Sequence, residues 1–152
     1  MAYHARKLIR EKIKQYLSVI PKIGQNIFFD DPDVIQADQV PCIFISSDTE
    51  QVDYTNVSSG TRTQQRKYQL SIVAFIKSNN SLSDKLDELS YNIELALAET
   101  RDKTKLDGLV IMNNLISTDF EYSDDPELNI GSLRLVYEIT YRTVENQVNN
   151  TI

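Results

Sequence analysis

Apolar residues recur at helical spacing over residues 3–19. Ile9, Ile13, Tyr16, Leu17 and Ile20 stand at i, i+4, i+7, i+8 and i+11, which places them on one stripe of an α-helix. Arg6, Lys7, Arg10, Glu11, Lys12 and Lys14 fill the opposite face. Pro21 ends the pattern, and Gly24 follows as a turn residue. Ile27–Phe29 is a short apolar run that predicts a strand. Residues 30–39 are polar, contain Pro32 and predict a loop. Across 40–46 apolar residues occupy both parities, Cys42 and Phe44 against Ile43 and Ile45, as in a strand covered on both faces. Pro41 has no N–H to give a ladder and belongs at that strand's start.

Residues 47–63 are poor in apolar side chains and predict a long loop or an extended hairpin tip. Connections of that length usually carry function, so this is the expected partner-contact segment. Across 64–77 the period changes to two. Tyr68, Leu70, Ile72, Ala74 and Ile76 share one face, whereas Lys67, Gln69 and Ser71 take the other. A second helix is predicted over 81–100, with Leu82, Leu86, Leu89, Ile93 and Leu97 as its stripe. Ser81 and Asp84 resemble a capping box at its start. Residues 101–108 form a charged turn. Two strands follow: one within 109–122, where Ile116, Thr118, Phe120 and Tyr122 alternate with polar residues, and one over 132–143. The short acidic turn between them predicts an antiparallel hairpin. The polar tail 144–152 is expected to fray. The order α-β-β-β-α-β-β predicts an α+β fold: one mostly antiparallel sheet with two helices packed on one face, a single soluble domain over residues 1–152.

Charge narrows the function. The 152 residues carry a formal net charge of -6 with 41% hydrophobic residues. That supports one core and opposes attraction to phosphate backbones, so sequence-specific DNA binding is not expected. The charged start has no apolar core of a signal peptide, and no apolar run reaches membrane-spanning length. The one cysteine, Cys42, permits no internal disulfide and suits a reducing compartment.

Candidate chemistry is sparse. His4, the only histidine, reads as a solvated surface side chain near a fraying end. Cys42 reads as a buried, inert thiol. No Cys/His cluster, glycine-rich phosphate loop or nucleophile elbow is present, so no catalytic residue, cofactor or metal site is expected. The acidic groups Asp30–Asp31–Asp33 and Asp124–Asp125–Glu127 lack calcium-loop spacing and read as turn residues. What remains are contact candidates around the long loop: Asp53, Tyr54, Arg62, Arg66 and Lys67. The basic three suit an acidic partner subunit, and a tyrosine without a burial pattern suits an interface. The segment 48–63 is expected to order only against a neighbouring subunit.

Several phrases then carry a family likeness. An amphipathic first helix, "VPCIFISSDTEQVD", "RKYQLSIVAFIK", the helix "LSDKLDELSYNIELALAE" and the ending "LISTDFEYSDDPELNIGSLRLVYEITYRT" span residues 8–143. Together they resemble the tail-terminator, or tail-completion, proteins of tailed bacteriophages and related contractile injection systems. The resemblance implies a virion protein, assembled in the host cytoplasm, that forms a ring, usually of six copies, on the last tube ring of a finished tail. Its implied partners are itself, the tail tube protein, the neck or head-tail connector and, in contractile tails, the sheath, with DNA passing through the lumen and no membrane. A head-tail joining or head-closure protein of the neck is the nearest alternative. A small enzyme or ligand-binding domain is the alternative from another class.

Overall fold

A computed structural model of the chain describes residues 2–30, 40–55, 61–98, 105–125 and 127–152. The elements are α1 (Ala5–Leu17), β1 (Ile27–Phe29), β2 (Cys42–Tyr54), β3 (Thr63–Lys77), α2 (Leu82–Ala98), β4 (Met112–Tyr122) and β5 (Ile130–Val144). They follow the predicted order. The five strands form one sheet in the order β1-β2-β3-β5-β4. Every pairing is antiparallel except β1 with β2, which is parallel.

Both helices lie on one face of this sheet and share its core. Ile9, Ile13 and Leu17 of α1 are buried in one cluster with Leu86, Ile93 and Leu97 of α2. The sheet contributes Ile43 and Ile45, the β3 row Tyr68, Leu70, Ile72 and Ala74, and the β5 row Leu133 to Tyr141. The alternation visible in β3 and β5 is therefore the inner face of the sheet. Burial at this density is the main driving force of such a fold. β2 begins buried on both parities, with Cys42, Ile43, Phe44 and Ile45 all inaccessible. On its outer side Phe44 packs against Phe28 and Phe75, at centroid distances of 5.3 and 5.9 Å.

The helices divide the sheet between them. α1 lies over β1 and β2: Arg6 pairs with Glu50, Arg10 reaches Ser47, and the Lys14 ammonium sits 5.2 Å above the Phe29 ring. α2 lies over β3 and β5. Its first turn approaches β5 so closely that a Cβ at Gly131 would stand 3.0 Å from Leu86 Cδ1 and 3.2 Å from Leu82. A side chain there would force Leu82 and Leu86 to give way by a few tenths of an ångström.

Four expectations are corrected. The segment 47–63 is mostly strand: β2 runs to Tyr54 and β3 starts at Thr63, so residues 48–55 are ordered within the single chain as a hairpin extension. The ladder to β3 supplies their backbone partners without a neighbour. Residues 56–60 and 31–39 lie outside the described residues, as do 99–104 of the expected second helix and charged turn. The tail does not fray. Val148 C=O accepts from Ala5 N–H at 2.8 Å, Arg142 C=O from Ile152 N–H at 3.0 Å, and Glu145 N–H bonds Arg62 C=O at 2.9 Å. His4 is not a free surface ring. It is the N-cap of α1, and its Nδ1 accepts from Arg6 N–H at 3.2 Å. Ser81, expected to cap α2, has φ 53, whereas an N-cap takes extended backbone, so the capping box does not form as predicted.

Candidate functional site

The five contact candidates sit on the β2–β3 hairpin and separate by face. Direct cross-strand partners share a face. Tyr54 opposes Gln64 and Val52 opposes Arg66 on the helix side, while Asp53 opposes Gln65 and Gln51 opposes Lys67 on the other side. Asp53 and Lys67 are exposed there. At the tip, Tyr54 and Arg62 do come together: the guanidinium lies 4.0 Å from the ring centroid. Arg62 also grips Glu145 with two bonds, Nε–Oε2 at 3.0 Å and Nη2–Oε1 at 2.7 Å. That hydrogen-bonded pairing holds the Glu145 carboxyl below the usual carboxylate range. The acidic partner of Arg62 is thus in the same chain.

Arg66 turns inward. Its side chain is 9% exposed, and its donors are taken up by Glu50 Oε2 at 2.8 Å, Gln64 Oε1 at 2.7 Å and Thr143 Oγ1 at 3.0 Å. Glu50 is the hub. It also accepts from Arg6 of α1 and, at 2.5 Å, from the Tyr141 hydroxyl. Burial first, and then the bond to Glu50, raise the Tyr141 phenol well above its ordinary range. The cluster thus ties α1, β2, β3 and β5 together at one end of the sheet. Glu50 was not singled out from sequence, because its orientation depends on a β-bulge. The register moves from Ser47↔Leu70 to Glu50↔Tyr68, so β2 carries one extra residue and its parity flips. Glu50 then faces inward and Asp48 faces the open side. There Asp48 accepts from Ser71 Oγ at 2.5 Å and from Arg134 Nη2 at 3.2 Å.

Among the described residues no helix covers the sheet's second face, and β4 forms one of its edges. A shallow depression on that face is lined by Val73, Phe75 and Val136 together with Asp119, Glu121 and Arg134. β4, like the far half of β2, is poorly covered. Its half from Ile116 onward is exposed throughout, with Ile116 at 47%, Phe120 at 45% and Tyr122 at 51%. The alternation 116-118-120-122 does not form one face. Ile116 is the extra residue of a second bulge, between Leu115↔Tyr137 and Ser117↔Val136. Only Thr118, Phe120 and Tyr122 share the helix side; all three stay exposed, although the Tyr122 hydroxyl lies 3.2 Å from Ser83 Oγ of α2. Among the described strands β4 pairs only with β5, so its outer backbone edge is open.

Burial pushes the Cys42 thiol up to about 11, which keeps it protonated. Among the described residues no group of three His, Cys, Asp or Glu side chains could hold a metal. Asp125 and Glu127 sit in a turn in which Asp125 Oδ1 accepts from Glu127 N–H at 2.9 Å, the turn role expected of them. No described helix is long and apolar enough to cross a membrane.

Residues 4–141 match the family model described as phage minor tail protein U. Among solved structures the chain is similar to one from the virion of a native gene transfer agent particle, with 12% identity, a TM-score of 0.48, and coverage of 86% of this chain and 92% of that one. No curated protein matches.

Proposed function

The chain belongs to the phage minor tail protein U family, and from that premise we propose that it is a structural virion protein that closes the finished tail tube as a homo-oligomeric ring. In this reading six copies sit on the last tube ring, stop its polymerisation and offer a surface to the neck or head-tail connector. In a contractile tail the outer rim also meets the sheath. The family match over most of the chain carries the proposal.

Physical features of the chain are compatible with the role. A ring built from one repeated contact needs two different surfaces on each subunit, related by a rotation that closes. A sheet with two unlike edges supplies such surfaces, β1 with α1 on one side and β4 on the other. The net charge of -6 repels phosphate, which suits a passage through which DNA slides without being held. The hairpin carrying Asp53, Tyr54, Arg62 and Lys67 is the proposed contact with the tube or neck, with Arg66 supporting it from inside.

The test is genetic and visual. Deleting the gene should give over-long tails by negative-stain microscopy, and the purified protein should restore normal length when added to tube protein. Tails of normal length that fail to join heads would place the chain in the neck instead. A protein that stays monomeric by light scattering, alone and on tail tubes, would exclude the ring.

A further inference from the structure

The two edges of the sheet carry charge of opposite sign, each mixed with exposed apolar side chains. Between residues 112 and 133 the sequence has five carboxylates (Asp119, Glu121, Asp124, Asp125 and Glu127) and no Lys or Arg. All five are exposed. They share β4 and the β4–β5 turn with the exposed Ile116, Phe120 and Tyr122. At the other edge, residues 1–22 carry six Lys or Arg and a single acid, Glu11. Three of those cations are paired within the chain, Arg6 with Glu50, Lys7 with Glu11 and Lys12 with Asp107. Arg10, Lys14 and Lys22 have no carboxylate partner among the described residues. This end of the sheet also exposes Val19, Phe29 and, on the opposite face of β1, Phe28. The strand order puts β1 and β4 at opposite edges of one sheet.

We propose that the β4 edge and acidic β4–β5 turn of one subunit dock against the α1–β1 edge of a second copy of this chain, and that this head-to-tail contact is the repeating interface of the ring. The proposal rests on the ring reading above and assigns its surfaces. Its occupant is a second copy because the complementary patch is on the chain itself, in charge as well as in apolar content. An open, apolar strand edge is a template for association, and like-charge juxtaposition would oppose the alternative β4-to-β4 pairing. Head-to-tail docking uses one patch of each copy and leaves its other patch for the next, so the contact repeats and forms a ring when the rotation closes.

Two triple variants of the full chain test this. One carries Glu121→Lys, Asp124→Lys and Glu127→Lys; the other carries Arg10→Glu, Lys14→Glu and Lys22→Glu. All six positions are at the surface or only half-buried, so both variants should keep the wild-type circular dichroism and melting behaviour. Each alone should associate at least about tenfold more weakly than wild type by light scattering. Mixed one to one, they should assemble again, because each restores the charge the other lost. A variant that assembles like wild type, or a folded pair whose mixture stays monomeric, overturns the interface while leaving the ring intact. A monomeric wild type, alone and on tail tubes, sinks the ring reading itself. Salt needs no substitution: wild-type assembly should weaken as added sodium chloride screens the contact, and a salt-insensitive ring would count against it.

Discussion

At the scale of single residues, the buried Glu50 is worth more than the exposed pair at the hairpin tip. Glu50 is 11% exposed and neutralises Arg66 at 9%. Removing one partner of such a pair leaves a desolvated charge behind, which costs about 3 kcal/mol or more. Glu50→Gln should therefore lower the melting temperature by roughly 6–12 °C, whereas Arg62→Ala should leave it nearly unchanged, because Arg62 and Glu145 are held in water. Calorimetry of the two variants decides it, and equal shifts would refute the contrast. His4 gives a pH signature. Burial and the nearby Arg6 lower its pKa from 6.5, so folding favours the neutral ring that caps α1. The folded state then binds fewer protons, and the contribution is fully present above 6.5 and lost as pH falls through the lower folded value. His4→Asn caps at every pH. The melting-temperature gap between wild type and His4→Asn should move against wild type on acidification, and a pH-independent gap would rule the linkage out.

At the scale of elements, one-sided periodicity was legible and covering was not. The stripes of α1 and α2 and the rows of β3 and β5 were readable because a core touches each of them along one face only. The same alternation in β4 means something else. Sequence shows that Phe120 and Tyr122 share a face but not that both stay about half exposed, with α2 meeting only the Tyr122 hydroxyl, through Ser83. Glu50 and Ile116 were hidden by bulges, which change parity without any residue-type signal. The docked tail was hidden because backbone groups hold it, and these leave no side-chain pattern. The candidate site was half readable for the same reason: Tyr54 and Arg62 meet as their proximity in sequence suggests, while the inward turn of Arg66 depends on the register of β2 against β3. One glycine reports the helix–sheet fit. Gly131→Val would drive a branched side chain into Leu82 and Leu86, at a cost of about 1–3 kcal/mol in denaturant unfolding. Leu82→Ala in the same chain should recover part of that loss, since residues in contact couple. Additive effects would place the strain elsewhere.

At the scale of the whole molecule, stability and assembly should be carried by different strands. β3 is flanked on both sides along its length by β2 and β5, and β5 by β3 and β4. Their inner rows form the centre of the core. β4 has one neighbour and an exposed outer half. Amides opened only by global unfolding exchange slowest, and edge amides exchange by local opening. In the free chain, hydrogen exchange should rank β3 and β5 slowest, with the outer half of β4 exchanging fast although it is regular strand. If β4 docks on the α1–β1 edge of the next subunit, assembly should slow exchange in β4 and over the first turns of α1, and leave β3 and β5 as they were. Protection that rose first in β3 and β5 would mean that association tightens the core and does not cover an edge. Unchanged exchange in β4 within an assembled ring would assign the contact to another surface, with the hairpin tip at Tyr54 and Arg62 as the next to examine.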